Sequence, residues 1–309
     1  MKKDLTKISD LSKEEIIEII ELAFKYKNGY SPKTPLKNKV VAMVFEKPSL
    51  RTKIAFEVAT AKLGGIPVYL SSEQIFASGN NEKNRESIPD IAKNLERFAD
   101  LILARVYDHN TIQEISKNTQ IPLINALCNK HHPTQALADL MTIVWHKWKH
   151  QLPWHPHQKS IKNLKVTFIG DGNNVATSLM EICEIMGIHF SIASPKGYEL
   201  PVKNKNFYIE LLNDSQNAAK DADVIYTDTF ISMGEEHLKK EKLKAFKRYQ
   251  VNSKLLKLAK PDAIFMHCLP AHRGEEVSNE VMDCKQSVIF DQAECRLHIA
   301  KSLLTIYLK

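Results

Sequence analysis

Short β-branched and apolar runs alternate with stretches of helical period along nearly the whole chain, which is the pattern of parallel strands whose crossovers are helices. Strands of that kind are covered on both faces and read as unbroken apolar runs, as do VVAMVF at 40–45, DLILA at 100–104, KVTFI at 165–169, DVIYT at 223–227 and AIFMH at 263–267. The first half predicts further strands at 67–70 and 121–124, with helices at 12–27, 52–63, 88–98, 110–117 and 134–148. After residue 150 the cycle restarts, with strands also at 188–192 and 287–290 and helices at 175–186, 207–219, 252–259 and 291–307. A chain of 309 residues with two such cycles is expected to be α/β, built as two doubly wound domains, each a parallel sheet flanked by helices.

The segment HKWKHQLPWHPHQKS, 146–160, has no clean period and marks the joint. Domains are therefore expected at 1–148 and 149–290, with the helix over 291–309 packing back on the first. Histidines 146, 150, 155 and 157 invite a metal, but no cysteine or carboxylate cluster completes a ligand set, so no metal is predicted. The second long irregular stretch, SSEQIFASGNNEKNRE at 71–86, has the length of a functional loop.

Forty-three basic against 36 acidic residues give a net charge of +7, which suits an anionic small ligand or an anionic surface equally. The basic residues are dispersed and no nucleic-acid-binding pattern appears, so no nucleic-acid partner is expected. Five cysteines without a CxxC pair read as reduced thiols. No apolar run approaches the roughly 18 residues that span a bilayer, and Asp4 interrupts any leader-like start. The expectation is a cytoplasmic protein without a membrane segment.

In parallel sheets ligands bind beyond the carboxyl ends of the strands, so the polar groups just after each strand are the candidates. In KPSLRTKIAFEVATAKLGG a polar turn opens into a helix, where free N–H groups, the helix dipole, Ser49, Arg51 and Thr52 make an anion site; a Ser cap beside a solvated Arg is the plainer reading. The GxxxxGK[ST] pattern is absent. Arg105 follows the strand at 100–104, and in HHPTQ His132 stands at a helix mouth with Gln135 close behind. GDGNN resembles part of a dinucleotide turn, but the third glycine position is Val175 and no acid closes the next strand, so a nicotinamide cofactor is not expected. Asn174 in that turn suits either a small polar ligand or simple turn capping. Cys268, flanked by His267 and His272, is either a nucleophile or a buried thiol in a turn, and Leu269-Pro270 is a candidate cis bond.

Together these segments resemble the aspartate/ornithine carbamoyltransferase family over essentially the full length. FEKPSLRTK is similar to the family's carbamoyl-phosphate loop and HPTQALADLMTI to its carbamoyl-amide and oxyanion segment. GDGNNVATS and DTFISMGEE are similar to its amino-acid-side loops, and MHCLPAHRGEEV with QAECRLHIAK to its remaining active-site pieces. The resemblance implies an active site in the cleft between the two domains and transfer of the carbamoyl group from carbamoyl phosphate to the side-chain amine of L-ornithine. L-citrulline and phosphate are the products, serving arginine biosynthesis, with no cofactor.

By the same resemblance Ser49, Leu50, Arg51 and Thr52 hold phosphate, and Arg105, His132 and Gln135 grip the carbamoyl group. Asn174, Asp228, Ser232 and Met233 receive ornithine; Cys268, Leu269 and Arg296 line the junction between the substrates. Arg105, His132, Asp228 and Cys268 are the implied catalytic residues, with Asp228 and Cys268 orienting and deprotonating the amine. Gln74 is the candidate for completing a neighbouring subunit's site, and a homotrimer or a multiple of trimers is implied. Leu50 stands where many members have Thr and Lys53 where many have Arg. The first change removes a hydroxyl but no backbone donor; the second exchanges a planar fork for a point charge.

Overall fold

The computed structural model describes residues 3–75, 86–147, 161–202, 208–232 and 234–309. The chain divides into two compact units, Met1–Met141 with Glu294–Lys309, and Thr142–Ala293.

The first unit is built on four parallel strands, β1 (Val40–Phe45), β2 (Ile66–Ser71), β3 (Leu101–Arg105) and β4 (Leu123–Leu127), in the order β2-β1-β3-β4. All five residues of β3 and of β4 are buried, as unbroken apolar runs demand, whereas the edge strand β2 leaves Ile66 and Val68 exposed. Ser49, extended at the helix start, accepts the Thr52 N–H and launches the helix Leu50–Lys62. The last residues return to this unit: Ser302 donates to the Ile19 carbonyl, and Lys27 pairs with Glu294 at 2.9 Å on the helix Lys13–Lys27.

The second unit has five parallel strands, β5 (Lys165–Ile169), β6 (His189–Ala193), β7 (Ile209–Leu212), β8 (Val224–Thr227) and β9 (Ile264–His267), in the order β7-β6-β5-β8-β9. Phe168 stacks on Tyr226 at 5.4 Å in its core. Both sheets are doubly wound. In each, strand order reverses beside the first strand, between β1 and β3 and between β5 and β8, where loops part to opposite faces and leave room for a ligand.

Three expected elements differ. The helix expected at 252–259 is the single turn Ser253–Leu256. The helix expected at 207–219 is the edge strand β7 followed by a one-turn helix, Ser215–Ala219. Pairing of Ile209–Leu212 with Phe190–Ala193 overrides the helical period, and Asp214 caps the short helix through the N–H groups of Gln216 and Asn217. The strand expected at 287–290 shrinks to one bridge between Ser287 and Phe265, because the terminal helix, Ile289–Tyr307, has already begun.

Candidate active site

In the first unit, the carboxyl ends of β1 and β3 and the start of the helix Pro133–Lys147 carry the polar groups. Arg105 ends β3 at a register shift opposite Leu127 and is buried; its carbonyl accepts the Glu46 N–H. Thr52 and Gln135 are almost wholly buried, and Arg296 ties them together: one guanidinium nitrogen donates to Gln135 Oε1 at 2.8 Å and the other to the Thr52 hydroxyl. Gln135 in turn donates to Asp139 at 2.8 Å, which fixes its amide. His132 is buried at the helix mouth, its carbonyl accepting from the N–H groups of Gln135 and Ala136 and its Nδ1 3.4 Å from the Thr134 hydroxyl. Burial first, and then the charges of Arg296, Arg105 and Arg51, hold its pKa well below the ordinary histidine value, so the imidazole stays neutral. The charges of three guanidiniums thus act on one neutral, buried imidazole, a grouping that suits a multiply charged oxyanion.

Leu50 is the first residue of its helix and is 67% exposed; there it offers a backbone N–H and no hydroxyl. Lys53 lies 4.3 Å over the Tyr69 ring and 3.5 Å from Glu57. Gln74 is exposed on the short helix Ser72–Ile75 after β2, where its amide oxygen accepts from the Ser71 N–H and hydroxyl.

In the second unit, Asp228 follows β8 and is buried. Its carboxylate accepts from Asn173 Nδ2 at 2.9 Å, the Thr229 N–H at 2.8 Å and the Cys268 thiol at 3.1 Å. Asn173 does double duty, since its Oδ1 caps the helix Asn174–Met186 through the N–H groups of Val175 and Ala176. Asn174 is the first residue of that helix and half-buried. The turn leading into it needs Gly172: a Cβ there would stand 2.6 Å from the Glu199 and Leu200 backbone.

Behind Cys268, Leu269 adopts a left-handed φ of 60° and the Leu269-Pro270 bond is cis, as its sequence suggested. Its N–H donates to His267 Nδ1 at 2.9 Å, which fixes the ring proton on Nε2, and Nε2 points to Glu276 Oε1 at 3.2 Å. The same oxygen accepts the His272 N–H. With both ring nitrogens of His267 so engaged, the thiol points to Asp228 rather than to a histidine base, which counts against the nucleophile reading. Arg273 forms a paired contact with Asp283 at 2.7 Å on the surface.

Ser232 shares two bonds with Glu235, and Glu235 meets the ammonium of buried Lys242, which also holds Asp171 at 2.6 Å. Burial opposes the Lys242 charge, but Asp171 and Glu235 outweigh it and hold its pKa above the ordinary lysine value. Burial also lifts the Asp171 carboxyl above its ordinary value, aided by the charges of Glu235 and Asp228 and opposed by Lys242. Lys242 therefore joins the loop after β5 to the loop after β8. Met233 and histidines 150, 155 and 157 lie outside the described residues. Asp228, His267 and Cys268 have donor atoms within 4.8 Å of one another, a spacing that a metal ion could use, but hydrogen bonds already occupy these groups.

Asn173, Glu276 and Lys242 were not singled out from the sequence. An Asn just ahead of an amphipathic run signals a cap and could have flagged Asn173; Lys242 is 71 positions from Asp171, and no local pattern connects them.

Residues 3–144 match the carbamoyl-P binding domain of aspartate/ornithine carbamoyltransferase, and residues 162–307 match the Asp/Orn binding domain of that family. An anabolic ornithine carbamoyltransferase of Pyrococcus furiosus is 44% identical, covering 98% of this chain and 96% of its own. A catabolic ornithine carbamoyltransferase of Thermoplasma acidophilum is 46% identical, covering 98% of this chain and 97% of its own. The crystal structure of ornithine carbamoyltransferase from Thermus thermophilus superposes with a TM-score of 0.87 at 39% identity, covering all of both chains.

Proposed function

The chain belongs to the aspartate/ornithine carbamoyltransferase family, and from that premise we infer that it transfers the carbamoyl group of carbamoyl phosphate to the side-chain amine of L-ornithine. The observation that carries this reading is buried Arg296 tied to Thr52 and Gln135 beside a buried His132 that the charges of Arg296, Arg105 and Arg51 keep neutral. Such a cradle matches the dianionic phosphate and the carbonyl oxygen of one small donor molecule.

The amine nitrogen attacks the carbonyl carbon, charge collects on the oxygen, and the C–O bond to phosphate breaks while the proton shed by the nitrogen passes to the departing phosphate, releasing citrulline and phosphate. Ser49, Arg51, Thr52 and the backbone N–H groups at the helix start, that of Leu50 included, hold the phosphate. Arg105, Thr52 and His132 stabilise the oxyanion, and loss of one such donor costs about 10²- to 10³-fold in rate. The tautomer in which the Thr134 hydroxyl donates to Nδ1 leaves His132 Nε2–H for that oxygen. Gln135, held by Arg296 and Asp139, reads the carbamoyl amide.

An alkylammonium must lose its proton before it attacks, which costs about 4 kcal/mol near pH 7.4. Asp228 orients that ammonium and Cys268, whose thiol Asp228 holds, lines the passage to the carbonyl with Leu269. Asn174, Ser232 and Met233 take the amino-acid end. The first unit is thus the carbamoyl-phosphate domain and the second the ornithine domain.

A citrulline assay on the wild type and on Arg51→Ala tests the reading. Product from the wild type and near-total loss in the variant is expected; an active variant would sink it. We infer a homotrimer, with Gln74 reaching a neighbour's site; exposed Leu50, Ile54, Ile66 and Val68 in the first unit offer apolar surface for an interface. Sedimentation should show a trimer, or a multiple of it, that Ile66→Glu dissociates; a monomeric wild type would refute this.

The five cysteines are unbridged, and among the described residues no helix is long and apolar enough to cross a membrane. The unbridged thiols fit the cytoplasmic setting we infer, which cell fractionation checks. We infer a role in arginine biosynthesis, in line with the anabolic Pyrococcus furiosus relative, while the Thermoplasma acidophilum relative is named catabolic. Failure to restore arginine-independent growth to a strain lacking its own carbamoyltransferase would count against it.

A further inference from the structure

The first unit holds a second polar recess, a cavity of about 320 Å³ lined by Tyr26, Tyr30, Pro32, Lys62, Leu63 and Lys301, none of which belongs to the Arg51–His132 group. Local chain geometry builds its wall. After the helix Lys13–Lys27, Gly29 turns at a φ of 90° and the Tyr30 N–H closes back on the Lys25 carbonyl. That turn brings the Tyr30 ring to 5.5 Å from Tyr26, tilted by 48°. Tyr26 is fixed in place because the Thr305 hydroxyl donates to the Lys301 carbonyl and accepts the Tyr26 phenol at 2.7 Å.

Two ammoniums face this aromatic wall. Lys301 lies 5.4 Å over the Tyr26 ring, and Lys62 ends the helix Leu50–Lys62 beside it. Among the described residues neither lies within ion-pair distance of a carboxylate. Burial first, and then the charge of Lys62, press the Lys301 pKa below the ordinary lysine value, the mark of a cation held near another cation in a partly enclosed place. A bound anion would relieve both costs, and a recess of this size admits one ring and one charged head.

We propose that this recess binds a small organic oxyanion, a carboxylate or a phosphate monoester, with its head between Lys62 and Lys301 and its flat apolar body on the exposed Tyr30 ring and Pro32, above the buried edge of Tyr26. The recess discriminates by requiring both parts. Charge alone would be met by any inorganic anion, whereas Tyr30 and Pro32 supply the apolar contact that holds the body.

Titration calorimetry on the full chain carrying Arg51→Ala, which silences the other anion cradle, tests it with benzoate and phenyl phosphate as probes. One probe should bind at one per chain, and the probe that binds identifies the head group. Adding Lys62→Gln and Lys301→Gln should weaken binding about tenfold or more, since two charge-assisted contacts are lost. Tyr30→Ala removes an exposed ring without opening the core and should also weaken binding, which keeps the test decisive if the lysine variant folds poorly. Absence of binding by both probes, or unchanged affinity in either variant, would overturn the proposal. A citrulline assay on Lys62→Gln is expected to match wild type, so this site and the transfer reaction fail or stand separately.

Discussion

Glu276 is fully buried, and one of its oxygens accepts from both His267 Nε2 and the His272 N–H. Replacing it with Met keeps the bulk and removes the acceptor, leaving the buried His267 Nε2–H and the part-buried His272 N–H unpaired. A buried donor costs about 1–3 kcal/mol and one that solvent reaches costs less, so Glu276→Met should lose about 2–4 kcal/mol. Glu276→Gln keeps an oxygen where Oε1 stands and should retain most of that stability, within about 1–2 kcal/mol of the wild type. The loss extends to the reaction. His267 Nδ1 anchors the Leu269 N–H at 2.9 Å, so a ring released from Glu276 loosens the Cys268-Leu269 segment. Urea unfolding of the three proteins, followed by citrulline formation at a temperature where each is folded, reads both effects. Equal stabilities for the Gln and Met variants, or a Met variant within about 1 kcal/mol of wild type, would refute the reasoning, since the shared acceptor would then be worth little.

Asn173→Ala should cost about 1 kcal/mol through the lost cap and raise the KM for ornithine by freeing Asp228, whereas Asn173→Ser, which still caps, should raise KM at nearly unchanged melting temperature. An unaltered KM in the Ser variant would show that Asp228 needs no such support. Acid should destabilise the first unit: burial first, and then His109, lower the His131 pKa from 6.5 to about 4. The unfolded chain therefore takes up a proton at higher pH than the folded one, so stability is full above about 6.5 and falls as the pH drops toward 4. The loss is at most about 3 kcal/mol and smaller for a half-buried ring that solvent screens. His132 acts in the same direction. Urea midpoints from pH 7 to 4 check this, and His131→Asn should flatten the profile.

The buried strands were legible because β1, β3, β5, β8 and β9 are covered on both faces, which forces unbroken apolar runs that a reader can see. The candidate residues were legible for a related reason: a doubly wound sheet gathers ligand groups at strand ends, and Arg105, Asp228 and Cys268 directly follow or end such runs. Edge strand β7 was not legible, since a strand with one neighbour and exposed residues carries no continuous apolar signal. Nor were the partners that hold the site. Glu276 and His267 meet through a turn, and Arg296 reaches Thr52 from 244 positions away. Such pairings come from tertiary packing, and neither spacing nor period encodes them.

Arg296 joins Thr52 to Gln135 from the terminal helix. A ribosome emits both of those partners long before it reaches position 296, so the nascent chain holds a sheet and helices but only two of the three guanidiniums. The anion grip matures at the end of synthesis. A fragment stopping at residue 290 would keep every strand of both sheets, yet it would lose the clasp together with Ile299, Leu303 and Leu304 from the first unit's core, so a nonsense or frameshift lesion in the carboxyl tail removes anion grip and packing at one stroke.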